Sequence, residues 1–272
     1  MRAASFLLLL VISAVLVSPD LAPAQTKSSP RTAQQMFERG MNLITGTGVN
    51  RNDIEAVNYF RRAAEAGYAP AQTVMGYLYE TGTMVSSEPQ MAAQWYAKSA
   101  AQNDRLAQWV LGRMYLSGNG PMRDRNQAMN WLRQAAEAGD PFAALLMGEA
   151  EEEIEPGPAV PWYRQAAQQG LPEAQARLGR LLASGRVGAP QKYEAYVWLL
   201  VSFENGNSGV GDDLRRIETD LGSTRVEEAK VEARKLRDST LRAAVAKGCT
   251  GWDGELSALP STPPPKLQAM CR

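Results

Sequence analysis

Residues 107–140 read AQWVLGRMYLSGNGPMRDRNQAMNWLRQAAEAGD. Two helices with a glycine break between them account for this order of residue types. Ala107, Leu111, Met114 and Tyr115 recur at helical spacing over Ala107–Ser117. Gly112 falls inside that run, where glycine costs about 1 kcal/mol relative to alanine. Its place there calls for a steric reason: a second helix that approaches too closely for a Cβ. Gly118 and Gly120 interrupt the pattern and permit a turn with positive φ. A second helix is expected from about Asn126 to Ala138, with Ala128, Trp131, Leu132, Ala135 and Ala136 on one face and Gly139 as its stop. The product is an αα-hairpin.

The same pattern extends in both directions. Gly40, Gly76, Gly112, Gly148 and Gly179 are spaced by 36, 36, 36 and 31 residues. A pair led by an aromatic residue keeps the rhythm: Tyr59-Phe60, Trp95-Tyr96, Trp131-Leu132, Trp162-Tyr163 and Trp198-Leu199. Small residues form a third column at Ala63-Ala64, Ser99-Ala100, Ala135-Ala136 and Ala166-Ala167, and turn glycines a fourth at Gly46, Gly82, Gly118 and Gly185. No single hairpin can bury its own faces, whereas stacked hairpins bury one another's. The expected fold is an all-α, right-handed α-solenoid of about five hairpins over 33–207 (33–68, 69–104, 105–140, 141–170 and 171–207).

These columns resemble the Sel-one-like repeat, a relative of the tetratricopeptide repeat. Its pattern runs roughly A-x-x-x-L-G-x-x-Y-x-x-G-x-G-V-x-x-D, then A-x-x-W-Y-x-x-A-A-x-x-G. The period of 36 also sets this chain apart from the tetratricopeptide period of about 34. The resemblance covers about Ala33 to Gly206. It implies an adaptor that binds proteins, in envelope signalling, assembly or host interaction, and leaves the partner open. Unit four departs from the pattern: it is shorter, and Pro156, Pro158 and Pro161 are expected to end its first helix and stiffen the link. Some exported relatives staple each repeat with a disulfide, a branch to which penicillin binding is attributed. This chain has no cysteine in any repeat and no Ser-x-x-Lys.

Beyond the array, Asp212–Leu221 reads as a short helix. Thr224-Arg225-Val226-Glu227 reads as a capping box opening a helix toward Lys247. Together, 208–248 form a charged C-terminal cap of the kind solenoids need. A proline-rich tail, 249–272, holds both cysteines, Cys249 and Cys271, candidates for one disulfide in an oxidising compartment. At the other end, Arg2, an uncharged stretch over Phe6–Val17 and Ala22-Pro23-Ala24 have the order of an export signal cleaved after Ala24. The stretch is shorter than the roughly 20 apolar residues a spanning helix needs. A disordered segment, 25–32, and a periplasmic or secreted protein without stable membrane insertion are expected.

The 272 residues carry 29 Lys+Arg against 29 Asp+Glu, so no basic face is expected for nucleic acid. There is no histidine, which removes the commonest general base and zinc ligand. No phosphate loop or nucleophile elbow is present either. The reading is therefore of a binding protein, not an enzyme, with no cofactor and no metal. Solenoids bind on the surface lined by the first helix of each unit. The position after the repeat glycine holds Met41, Tyr77, Arg113, Glu149 and Arg180. The position three before it holds Phe37, Thr73, Trp109, Leu145 and Ala176. The two columns share a helix face, which makes Phe37, Met41, Tyr77, Trp109, Arg113, Glu149 and Arg180 groove candidates. Padding of the inter-unit core is the competing role for the apolar ones. The acidic run Glu149, Glu151, Glu152, Glu153 and Glu155 is either a solvated helix end or a receiver of a basic segment. A sugar-binding surface of stacking aromatics is the alternative to a protein partner.

Overall fold

The computed structural model describes residues 30–246, and side chains over 32–240. The export segment, the tail and the Cys249–Cys271 pair lie outside the described residues. Ten helices form five hairpins: α1 (Pro30–Thr45) with α2 (Asp53–Glu65), α3 (Ala69–Thr81) with α4 (Pro89–Ala100), α5 (Arg105–Ser117) with α6 (Arg125–Glu137), α7 (Pro141–Glu152) with α8 (Pro156–Gln168), and α9 (Pro172–Ala183) with α10 (Lys192–Glu204). Each second helix packs on the first helix of the next unit, which is the arrangement of an α-solenoid. Among the described residues there is no strand.

The repeat glycines explain how each hairpin closes. A Cβ on Gly112 would lie 2.6 Å from Leu132 Cγ, and one on Gly40, Gly76 or Gly148 would meet the ring of Phe60, Tyr96 or Tyr163 at 2.6, 2.8 and 2.5 Å. The second member of each aromatic-led pair thus lies flat on its own unit's glycine. Gly118 takes φ 76° and caps α5 in the left-handed region, its N–H donating to Met114.

Units are tied together by a buried amide that the sequence columns above omit. Gln72, Gln108 and Gln175, each four residues before its repeat glycine, donate Nε2–H to the carbonyls of Ala64, Ala100 and Ala167 at 3.1, 3.2 and 3.1 Å. Those carbonyls lie in the last turn of the preceding helix, where each also accepts the turn N–H of Gly67, Asn103 or Gly170 at 3.0 Å, so the glutamine takes a second lone pair. Unit four has Ala144 at that position, and there Gln165 from α8 reaches the Ala136 carbonyl at 2.6 Å.

Two expectations change. Pro156 and Pro158 do not end α7. They open α8, where the first N–H groups need no partner, and Pro161 lies inside that helix. The shortening of unit four falls in the α7–α8 turn, residues 153–155. Nor does Thr224 cap a helix: α12 (Ser223–Ala246) starts at Ser223, after Gly222 at φ 75°. α12 and α11 (Gly211–Leu221) both pack on α10. That explains why α10, KYEAYVWLLVSFE, is apolar on nearly every side: α9, α11 and α12 cover most of it, leaving Lys192, Phe203 and Glu204 exposed, and it closes the array.

A candidate partner-binding wall

The first helices place the two candidate columns side by side, but not as one exposed stripe. Phe37 is buried at 4 % exposure, its ring 5.5 Å from Phe60 and 5.4 Å from Tyr68, so it serves the core. Thr73 and Ala176 are buried too, and Thr73 Oγ1 lies 2.8 Å from Ser99 Oγ. Met41, Tyr77, Trp109, Leu145, Arg113 and Glu149 are half-buried, and Arg180 is exposed.

The charged candidates are engaged within the protein. Arg113 pairs with Glu80 of the preceding unit, and its guanidinium also lies 5.5 Å from the centre of the Trp109 ring. Glu149 accepts from Arg177 of the next unit at 3.1 Å. Arg180 pairs with Asp213 of the cap at 2.7 Å and donates to the Gly209 carbonyl at 3.0 Å. Two more members of the acidic run are likewise bound to arginines: Glu152 takes Arg186 at 2.6 Å, and Glu153 takes Arg125 at 2.9 Å. Arg125 also donates to the Ala150 carbonyl, placing a cation at the C-terminal end of α7, where the helix dipole favours one. These pairs are partly exposed and each is worth at most about 1 kcal/mol. Their collective effect is to hold successive units at one spacing.

A polar node recurs in alternate units. Tyr96 donates to Glu80 Oε2 at 2.9 Å and Tyr163 to Glu152 Oε2 at 2.8 Å. Burial, and then the neighbouring glutamate, push the Tyr96 phenol well above its ordinary value. Burial and the hydrogen bond to Glu152 do the same to Tyr163, so both stay protonated donors. Units one, three and five have Phe60, Leu132 and Leu199 at the tyrosine position and Ile44, Leu116 and Ala183 at the glutamate position. The pairing is legible as covariation between two columns within the chain.

Between units three and four the wall is aromatic. Trp109 lies 5.6 Å from Phe142, tilted by 46°, and α5 touches α7 directly. Leu106, Phe142, Leu145 and Leu146 are all half-buried around that contact. Phe142 escapes the two candidate columns because it sits one helical turn earlier, six residues before Gly148; extending the i, i+3 pattern by one turn finds it. At the heads of these helices, Asp104 and Asp140 cap α5 and α7, accepting from Ala107 and Ala143 N–H at 2.7 and 2.8 Å. Burial pushes the Asp140 carboxyl up to about 6, against the Ala143 amide and Arg105, whose Nε lies 3.8 Å away. Among the described residues no helix is long and apolar enough to cross a membrane.

Among curated proteins, none matches the chain. Solved structures similar to it include the following two. One is c5321, a protective antigen of uropathogenic Escherichia coli strains with an SLR fold: 32% identity, TM-score 0.66, covering 79% of this chain and 46% of that one. The chain therefore spans less than half of that protein. The other is a Sel1 repeat protein from Oxalobacter formigenes: 28% identity, TM-score 0.65, covering 79% of this chain and 90% of that one. The Sel1 repeat pattern itself matches residues 36–68, 69–104, 105–140, 159–171 and 172–207. With the closure of every hairpin on its repeat glycine, by Phe60, Tyr96, Leu132, Tyr163 and Leu199 in turn, this extent of match means that the chain belongs to the Sel1 repeat family.

Proposed function

We propose that this chain is an exported, non-catalytic scaffold that holds a protein partner along the wall formed by α1, α3, α5, α7 and α9, in the signalling or assembly of a cell envelope. The observation that carries the reading is the half-buried row Tyr77, Trp109, Phe142 and Leu145, set on helices locked by inter-unit ion pairs and glutamine clips. A row held rigid before binding loses little freedom on contact, and Trp and Tyr dominate binding hot spots. Export is supported by the order of residues 2–24, and by the description of one structural relative as a protective antigen.

The test is capture of the tagged full chain after crosslinking in its native envelope, comparing wild type with Tyr77→Ala. The expected result is a dominant polypeptide whose yield falls about fivefold in the variant, with the melting temperature little changed. Equal yields would refute the wall as the binding surface. Sedimentation of the chain with purified cell wall, freed of protein, would replace the protein partner by a glycan.

A further inference from the structure

We infer that Asn119, in the hairpin turn of unit three, is a site of spontaneous covalent modification, at which the main chain is rerouted through an isoaspartyl linkage. Asparagine precedes glycine twice in the chain, at Asn119-Gly120 and Asn205-Gly206. That order is the reactive one: glycine has no Cβ to shield its nitrogen, which can close on the asparagine side-chain carbonyl carbon. Closure needs a side-chain amide free to turn and a backbone N–H not already donating. The structure separates the two pairs on both counts. Asn205 caps the end of α10. Its Nδ2 donates to Oε1 of the clip glutamine Gln175 at 3.1 Å, and Gly206 N–H donates to the Phe203 carbonyl at 3.0 Å. Asn119 is exposed in the turn after α5, where its own backbone N–H donates to Ser117 Oγ at 3.2 Å. Neither its side-chain amide nor Gly120 N–H has a hydrogen-bond partner among the described residues. The equivalent turn positions of units one and two hold Thr47 and Thr83, which have no amide to react.

Water is the only co-reactant. The Gly120 nitrogen bonds to Asn119 Cγ, the Cγ–Nδ2 bond breaks, and ammonia leaves a cyclic imide. Water then opens the imide. Addition at the Asn119 main-chain carbonyl carbon leaves the chain running through Cβ and Cγ, with a new carboxylate on Cα; addition at Cγ gives ordinary aspartate. The place of the turn gives the first product its effect. A Cβ on Gly120 would lie 2.5 Å from the Pro89 carbonyl oxygen, at the start of α4 in unit two, and 3.0 Å from Met114 Cε. A methylene inserted into the main chain beside so close a contact has no space to enter. The linkage therefore lifts the turn of unit three off unit two and adds a negative charge there.

The experiment incubates the purified full chain in mildly alkaline buffer, where the Gly120 nitrogen loses its proton more readily, both folded and in urea. Peptides containing each asparagine are followed by mass spectrometry, and isoaspartate is read with a methyltransferase specific for it. In the folded chain Asn119 is expected to convert at least about tenfold faster than Asn205, whose reacting groups must open first. Urea should bring the two rates together. Equal rates in the folded chain, or conversion of Asn119 in urea alone, would overturn the site. Melting then reports the lifted turn. Wild type should lose about 2–4 °C over the incubation, while Asn119→Gln, whose longer side chain closes a ring far more slowly, should lose none. Freshly prepared Asn119→Asp, with the charge but not the extra methylene, should melt with fresh wild type. A converted chain that melts as the fresh one does would overturn the lifting of the turn.

Discussion

Gly112 shows how one missing methyl sets the spacing of a hairpin. Replacing it by alanine gains about 1 kcal/mol of helix propensity. The new Cβ would sit 2.6 Å from Leu132 Cγ and 3.2 Å from the Ala128 carbonyl oxygen, and Leu132 is fully buried. Overpacking of this kind costs about 1–3 kcal/mol, and a backbone atom among the obstacles prevents relief by a side-chain rotation alone. Gly112→Ala is expected to destabilise by up to about 2 kcal/mol net, read as a lower urea midpoint; a higher midpoint would show that α6 can simply move away. Asp140 is the second residue with a measurable signature. Its carboxyl, pushed up to about 6 by burial, has a folded value above the ordinary carboxylate value near 4. The folded state therefore binds the proton more tightly. The contribution to stability is fully present below about pH 4 and is lost as pH rises through about 6, a span of about 2–3 kcal/mol. Asparagine caps helices as well as aspartate does. Asp140→Asn should therefore melt above wild type at pH 7 and converge with it near pH 4. A difference independent of pH would remove burial of the charge as the cause.

At the scale of elements, α8 is the helix built against its own composition. Pro156 and Pro158 fall where a helix needs no N–H donor, but Pro161 lies five residues beyond the start, so the Gly157 carbonyl loses its donor. Pro161 is exposed, and alanine there sacrifices no packing. Against about 3 kcal/mol of helix cost stands up to about 1 kcal/mol from the stiffer unfolded chain. Pro161→Ala is thus expected to stabilise by roughly 2 kcal/mol in thermal melts; a lower melting temperature would mean that the ring is packed in a way its exposure hides. Unit four meets the rest of the array by other means than its neighbours. Ala144 replaces the clip glutamine, Gln165 substitutes for it from the second helix, and the short turn leaves the glutamates at the end of α7 to Arg125, Arg177 and Arg186.

For the whole molecule, the stacking was legible because glycine, aromatic and small-residue columns each answer to one steric contact that recurs in every unit. The helix limits followed within a few residues: the second helix of unit three runs over Arg125–Glu137 where about 126–138 is read from the pattern. What escaped has a different cause in each case. Proline at a helix start and proline after a helix end look alike in sequence, so Pro156 and Pro158 read as the end of α7 rather than the start of α8. Position on the first helix does not distinguish a wall residue from a core one, because that depends on the angle at which the next unit packs; Phe37 is buried while Trp109, in the same column, is half-open. Charge partners also escaped, since Arg113 and Glu149 reach across units in opposite directions.

The alternation of tyrosine–glutamate units with apolar ones bears on how such an array can change length. Excising unit three alone would bring Glu149 to the place that Arg113 occupies beside Glu80, setting carboxylate against carboxylate. Excising units two and three together would instead set Glu149 against the neutral Ile44 and keep Arg177 at its side.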